Sequence, residues 1–262
     1  MVTVSLFDVV PLWLVFLSTV AMVLGLIEIG FRLGLQRGKG LAESEAGPTA
    51  SVIGSTLGLS AFMLAFTFGM AAARFDARRE ALLDEVNAIG TCYLRAELLP
   101  EPYQGEIRKR LREYIHLRAE IRAEPEAIRK TIARCEAIHD ELWAQVAMLT
   151  KKDSDNETNV LFTTSLNTVI DLHTKRVVVG NYRIPLVIWL ALYLVSMLSM
   201  AAVGYQFGQT RKRDLSISLI LALAYSVVIY LIADLDCIDH GSLGVSQQPM
   251  IELNAKFQDT TR

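Results

Sequence analysis

Four stretches of this chain carry no Asp, Glu, Lys or Arg and are long enough to cross a bilayer: Val9–Ile27, Ser51–Ala73, Ile184–Phe207 and Leu215–Ala233. Each is 19 residues or longer. At about 1.5 Å per residue, such a run matches a hydrocarbon core of about 30 Å. Backbone groups in lipid must bond within the segment, so all four are read as helices. One charge-free run can be a buried core helix, but four in 262 residues argue against a soluble fold. The first run lacks the basic start of a signal peptide and is too long for its apolar region. Glu28 and Arg32 follow it without a small-residue cleavage pattern, so it is read as a retained helix. The expected fold class is all-α: a polytopic membrane protein with four transmembrane helices and a helical bundle inserted between the second and third.

The chain divides into 1–73 (transmembrane helices one and two), 74–182 (a polar helical bundle continuous with helix two), 183–233 (helices three and four) and 234–262 (an irregular tail). Helix one is expected over Phe7–Leu33, and Gly38, Gly40 and Gly47 mark a loop. Pro48 suits the first turn of helix two, where its missing N–H costs nothing. From Arg74 to Leu99 there is no Pro, and Leu82, Val86, Ile89 and Tyr93 keep helical spacing. Helix two therefore leaves the bilayer as one long helix, ended by Pro100 and Pro102. Polar helices follow over Tyr103–Ala123, from Pro125, and over Val160–Val179, with a loop over Lys151–Asn159. The stripe Ile128, Ile132, Cys135, Ile138, Leu142, Val146 and Leu149 is the cleanest amphipathic signal in the chain. Helices three and four form a hairpin about Gln209–Asp214, and Gly241, Gly244 and Pro249 make the tail read as irregular.

A net charge of −2 gives no argument for nucleic acid as a partner. Basic residues gather at membrane edges instead, at Arg32, Arg37 and Lys39, at Arg74, Arg78 and Arg79, and at Arg211, Lys212 and Arg213. Cys92, Cys135 and Cys237 show no metal-ligand spacing, so no metal site is expected from them. The short loops are basic, and by the positive-inside rule that places the termini and the bundle outside the cytoplasm. The expected location is the bacterial inner membrane, with the lipid bilayer as partner.

Enzyme signatures are missing from the sequence: there is no Walker loop, GxSxG, HExxH or dinucleotide fingerprint, and no cofactor is expected. His116, His139, His173 and His240 are scattered, and His116 and His139 read as solvated or capping imidazoles. Asn156-Glu157-Thr158 matches a glycosylation sequon by chance. Helix two is more informative. Gly54, Gly58, Ala61, Ala65, Gly69 and Ala72 share a face suited to close helix packing. Phe62 and Phe66 stand one turn apart on a different face. From spacing alone they either pack against lipid and neighbouring helices or form a hydrophobic constriction around a shared axis. Arg74 and Arg78 at the helix exit either snorkel to the interface or ring a pore mouth. Asp234, Asp236 and Asp239 are a possible cation site, although helix-end solvation explains them more simply.

The stretch Phe66–Pro100, FTFGMAAARFDARREALLDEVNAIGTCYLRAELLP, and the tail DLDCIDHGSLGVSQQPMIEL resemble the bestrophin-like domain family of bacterial membrane proteins. The order of the membrane helices and of the helical insert agrees with it. A more distant similarity runs to the bestrophins, which are pentameric anion channels. Phe62 and Phe66 match their neck aromatics, Ala65 a small residue between them, and Arg74-Phe75 the helix exit. Ala61 replaces a Ser, Gly58 stands where the neck has a bulky aliphatic residue, and the acidic segment after the last membrane helix is sparse here. The resemblance implies a symmetric homo-oligomer, a pentamer by analogy, that passes small anions such as chloride. It also implies a pore constriction at Phe62, Phe66 and Gly58, a mouth at Arg74 and Arg78, and a bundle facing the cytoplasm. The alternative is a membrane-anchored scaffold or sensor whose bundle binds a partner, with no pore.

Overall fold

The computed structural model describes residues 10–37, 46–120, 124–152, 156–237 and 243–259. Among them are eight helices: α1 Leu12–Arg37, α2 Ala46–Ala96, α3 Tyr103–Ala119, α4 Pro125–Lys152, α5 Glu157–Gly180, α6 Leu186–Thr210, α7 Leu215–Asp236 and α8 Gln248–Asp259. The described residues contain no strand. Four of these helices, α1, α2, α6 and α7, are long and apolar enough to cross a membrane. At 51 residues, α2 is far longer than the roughly 20 that span a bilayer. The chain forms two compact units, one from 4–75 and 183–244 and the other from 76–182 and 245–262.

In the membrane unit, α1 packs against α6 and α7. Val23, Ile27, Leu192, Met200, Ala222 and Ile229 form its core with Leu64 and Ala71 of α2. Four glycines set the α1–α6 approach. A Cβ at Gly30, Gly34, Gly204 or Gly208 would collide with a backbone carbonyl of the facing helix. Both pairs have GxxxG spacing, which lets backbones close where lipid gives no hydrophobic drive. Ser199 Oγ donates to Thr56 O at 2.9 Å, and Tyr225 OH donates to Ser60 Oγ. Leu17, Ile29, Leu190, Leu194, Leu198, Ile220 and Val227 point outward, as a bilayer requires. Arg211 closes the α6–α7 turn in a left-handed conformation (φ 51°), and Asp214 caps α7 by accepting from Ile217 N at 3.0 Å.

The helical unit buries Leu82, Ile89, Tyr93, Ile107, Leu111, Tyr114, Ile138, Leu142, Phe162 and Leu166. Of the stripe on α4, Cys135, Ile138, Leu142, Val146 and Leu149 belong to this core, whereas Ile128 and Ile132 stay half-buried outside it. Two sequence expectations fail here. The helix expected from Val160 begins at Glu157, because Asn156 accepts from Thr158 N at 2.9 Å and starts it earlier. The tail expected to be irregular carries α8, whose Met250 and Phe257 insert into the core with Leu253 beside them. Pro249 sits in the first turn of α8, where it starts a helix rather than breaking one.

Candidate functional site

The membrane part of α2 has two unlike faces. Ile53, Ser60, Leu64, Thr67 and Ala71 recur at three- and four-residue spacing and are buried in the unit. Phe62 and Phe66 lie opposite, 64% and 53% exposed, so the chain itself leaves both rings uncovered. Their centroids are 6.3 Å apart and the rings are stacked at 17°. Ala61 and Ala65 are exposed on the same side, so the rings and the small residues expected on different faces share one, and a Cβ at Gly54, Gly58 or Gly69 would meet nothing within 4 Å. Of the small residues singled out on α2, Ala72 packs against the core of the unit, and the other five are left open by the described residues. Within the unit, close packing rests on Gly30, Gly34, Gly204 and Gly208, which the GxxxG spacing on α1 and α6 could have flagged. The hydroxyls of Ser55 and Thr56 bond back to Ser51 O and Ile53 O, so this side offers few free polar groups.

Arg74 follows on the same helix. It is half-buried, and its Nη1 is closed off from solvent with no hydrogen-bond partner. Arg78 is half-buried one turn on. In sequence, positions 74–80 hold Arg74, Arg78 and Arg79 against Asp76 and Glu80, a net charge of +1.

Asp234 and Asp236 are both 1% exposed, which overturns their reading as solvated helix-end carboxylates. The chain returns α7 to the start of α6, where Asp236 Oδ1 accepts from Ile184 N at 2.9 Å and Arg183 donates to Asp236 O at 3.0 Å. A carboxylate at a helix start is favoured by the unpaired N–H groups there. Asp239 lies outside the described residues. Among those described, no group of three or more His, Cys, Asp or Glu side chains is placed to hold a metal ion.

Sequence reading missed a buried polar cluster in the helical unit. Glu85 of α2 is fully buried and accepts from Tyr114 OH at 2.6 Å and from Arg118 Nη2 at 2.9 Å. Arg176 Nη1 donates to it as well, and Arg176 Nη2 donates to Gln247 Oε1 at 2.6 Å. Burial pushes the Glu85 carboxyl up, but the guanidiniums of Arg118 and Arg176 and the hydrogen bonds from Arg118 and Tyr114 overcome it and hold the pKa at about 2. His173 Nδ1 lies 3.0 Å from Tyr114 OH, and the His139 and His173 rings meet edge to face at 4.9 Å. His139 is therefore a core residue, 6% exposed, and not a solvated imidazole. Only His116 matches that expectation, exposed beside Glu120 at 3.4 Å.

The fold defines an integral membrane protein, all-α, whose second spanning helix carries an uncovered aromatic face. The family model of the Bestrophin-like domain matches residues 12–250, and the chain belongs to that family. Crystal structures of two variants of a bacterial Bestrophin homolog from Klebsiella pneumoniae resemble it with TM-scores of 0.69 and 0.66, at 16% and 15% identity. Each covers 95% of this chain and 98% of the other. A crystal structure described as a membrane protein resembles it at TM-score 0.63 and 17% identity, covering 94% and 97%. At such identities the likeness is one of fold. No curated protein matches the chain.

Proposed function

We propose that the chain assembles as a homo-oligomer around an axis lined by the exposed face of α2, and that the assembly is a passive pathway for small anions. The observation that carries this is the stacked pair Phe62 and Phe66, exposed on a face that the described residues leave open. Repeated about an axis, these rings form an apolar neck where an ion must shed water. Gly58, one turn earlier, adds no side chain, so the neck is short. Arg74 and the net positive exit turn, repeated in the same way, concentrate anions at the mouth. Family membership supports the reading, and the five-fold ring of the bestrophins is the arrangement it implies.

A second reading, a scaffold that binds a partner, is favoured by one feature of the helical unit. A groove of about 370 Å³ lies between α2 and α5, lined by Asp84, Asn87, Thr91, Arg95, Ser165 and Thr168. Ala88 and Leu172 line it as well, so the mixed lining offers a partner hydrogen bonds and apolar contact.

Flux through protein-containing liposomes separates the two. The double variant Phe62→Ala, Phe66→Ala widens the neck and raises basal anion flux several-fold. Arg74→Glu reverses the sign at the mouth and shifts selectivity towards cations. Zero flux from wild type and both variants, with assembled protein in the bilayer, would sink the pathway and leave the scaffold.

A further inference from the structure

The pathway makes no use of the buried cluster in the helical unit, although every member of it is held in place. Tyr114 has a single hydroxyl proton, and it goes to the carboxylate of Glu85 at 2.6 Å. The contact of 3.0 Å between Tyr114 OH and His173 Nδ1 then needs a proton on Nδ1. Nε2 is buried with no hydrogen-bond partner, so the form that strands no donor is the neutral imidazole with its lone pair on Nε2. His139 Nε2 is buried without a partner too. A proton arriving at either Nε2 would charge an imidazole that has no acceptor for it.

The surrounding charges act differently on the two rings. The α2 helix contributes Glu85, α3 contributes Arg118 and Tyr114, α5 contributes Arg176, and the segment before α8 contributes the neutral Gln247. From α4, Asp140 acts on His139, and Cys135 stays a neutral thiol, pushed up to about 11 chiefly by burial. At His173 the guanidiniums of Arg118 and Arg176 oppose a further proton against the pull of Glu85, whereas at His139 Glu85 and Asp140 favour it against Arg118 and burial decides.

We propose that this cluster is an acid-released latch: at neutral pH it ties α2 to α3, α4 and α5, and protonation of His139 and His173 opens it. Burial, with Arg118, pushes both imidazoles down to about 4 against the pull of Glu85, and Asp140 opposes it at His139. The sign follows. A histidine whose folded pKa is depressed favours the closed bundle fully above its ordinary value of about 6.5, and that contribution fades as pH falls from about 6.5 towards 4. Glu85 acts in the same direction at lower pH, since its carboxylate contribution is complete above about 4.5 and fades as pH falls towards 2. The histidines respond first.

The latch stands without the pathway, but its effect on flux rests on that reading. Hydrogen exchange of the full chain in detergent, corrected for intrinsic rates, reads it between pH 7.5 and pH 5. Protection over 81–96 and 131–146 should fall about tenfold or more per imidazole, while α1, α6 and α7 keep theirs. His139→Phe removes one proton site and leaves the Tyr114–His173 bond intact, so it should lose a large part of the response. Adding His173→Asn, which keeps a donor near Nδ1, should abolish the response; if that double variant does not fold, the single variant decides. Wild type that stays fully protected at pH 5, or a His139→Phe variant that opens as wild type does, would overturn the latch. Anion flux measured alongside separates the claims: flux absent at every pH, with the exchange response intact, overturns the pathway and leaves the latch standing.

Discussion

Glu85 keeps its charge inside an apolar bundle because two guanidiniums and a phenol surround it. A buried ion pair adds little net stability over an apolar replacement, yet removing one partner strands the other charges. Glu85→Gln should therefore destabilise the protein by about 3–5 kcal/mol, seen as a marked loss of Tm in detergent. Glu97 pairs with Arg108 at 3.0 Å but is 44% exposed. Solvent screens such a pair, so Glu97→Gln should cost at most about 1 kcal/mol. Equal effects of the two substitutions would refute the assignment of Glu85 as the core charge. Sequence reading missed this cluster because its members lie on four helices, and each polar residue looks unremarkable within its own amphipathic pattern. The aromatic pair on α2 was legible for the opposite reason: Phe62 and Phe66 are neighbours on a single helix, and helical spacing alone puts them side by side.

At the scale of elements, the contact between α1 and α6 has the least slack. Gly30 and Gly34 meet Ala201 and Tyr205, and Gly204 and Gly208 meet Ile27 and Phe31, backbone against backbone. No rotamer change can make room for a methyl group there. Gly204→Ala should therefore separate the helices at a cost of about 1–3 kcal/mol. Gly25→Ala on the open side of α1, where a Cβ meets nothing within 4 Å, should be neutral or slightly stabilising. Thermal unfolding of the two variants in detergent checks this, and a Gly204→Ala protein as stable as wild type would rule out the close approach. Helix ends were less legible than helix bodies. Asn156 and Pro249 each sit in a polar, breaker-rich stretch, and each turns out to start a helix. The cap of α5 is a local hydrogen bond, whereas α8 is held by a distant core, packing on α3 with Phe257 stacked on Tyr93 of α2.

For the whole molecule, the membrane face of α2 decides what must come next. Gly54, Gly58, Ala61, Ala65 and Gly69 lie uncovered beside two exposed aromatic rings. Small residues are the usual means of close helix approach in lipid, and none of these five is used for that within the chain. Light scattering of the detergent-solubilised protein should therefore give a mass that is a multiple of 29.1 kDa. A solution holding only the 29.1 kDa monomer would remove the shared axis and the proposed pathway with it.

By itself the sequence determined the class of this protein. Four charge-free runs must be helices, because lipid offers no other partner for the backbone. The periods of its polar segments determined that the rest is helical too. The tertiary structure decided which residues meet. It carried Asp236 to the backbone of Ile184, brought α8 onto a core formed far upstream, and set Glu85 among Arg118, His173 and Arg176. Periodicity assigns a side chain to a face of its own helix. The partner across that face depends on how distant segments stack, and burial then converts ordinary polar residues into a strongly coupled cluster.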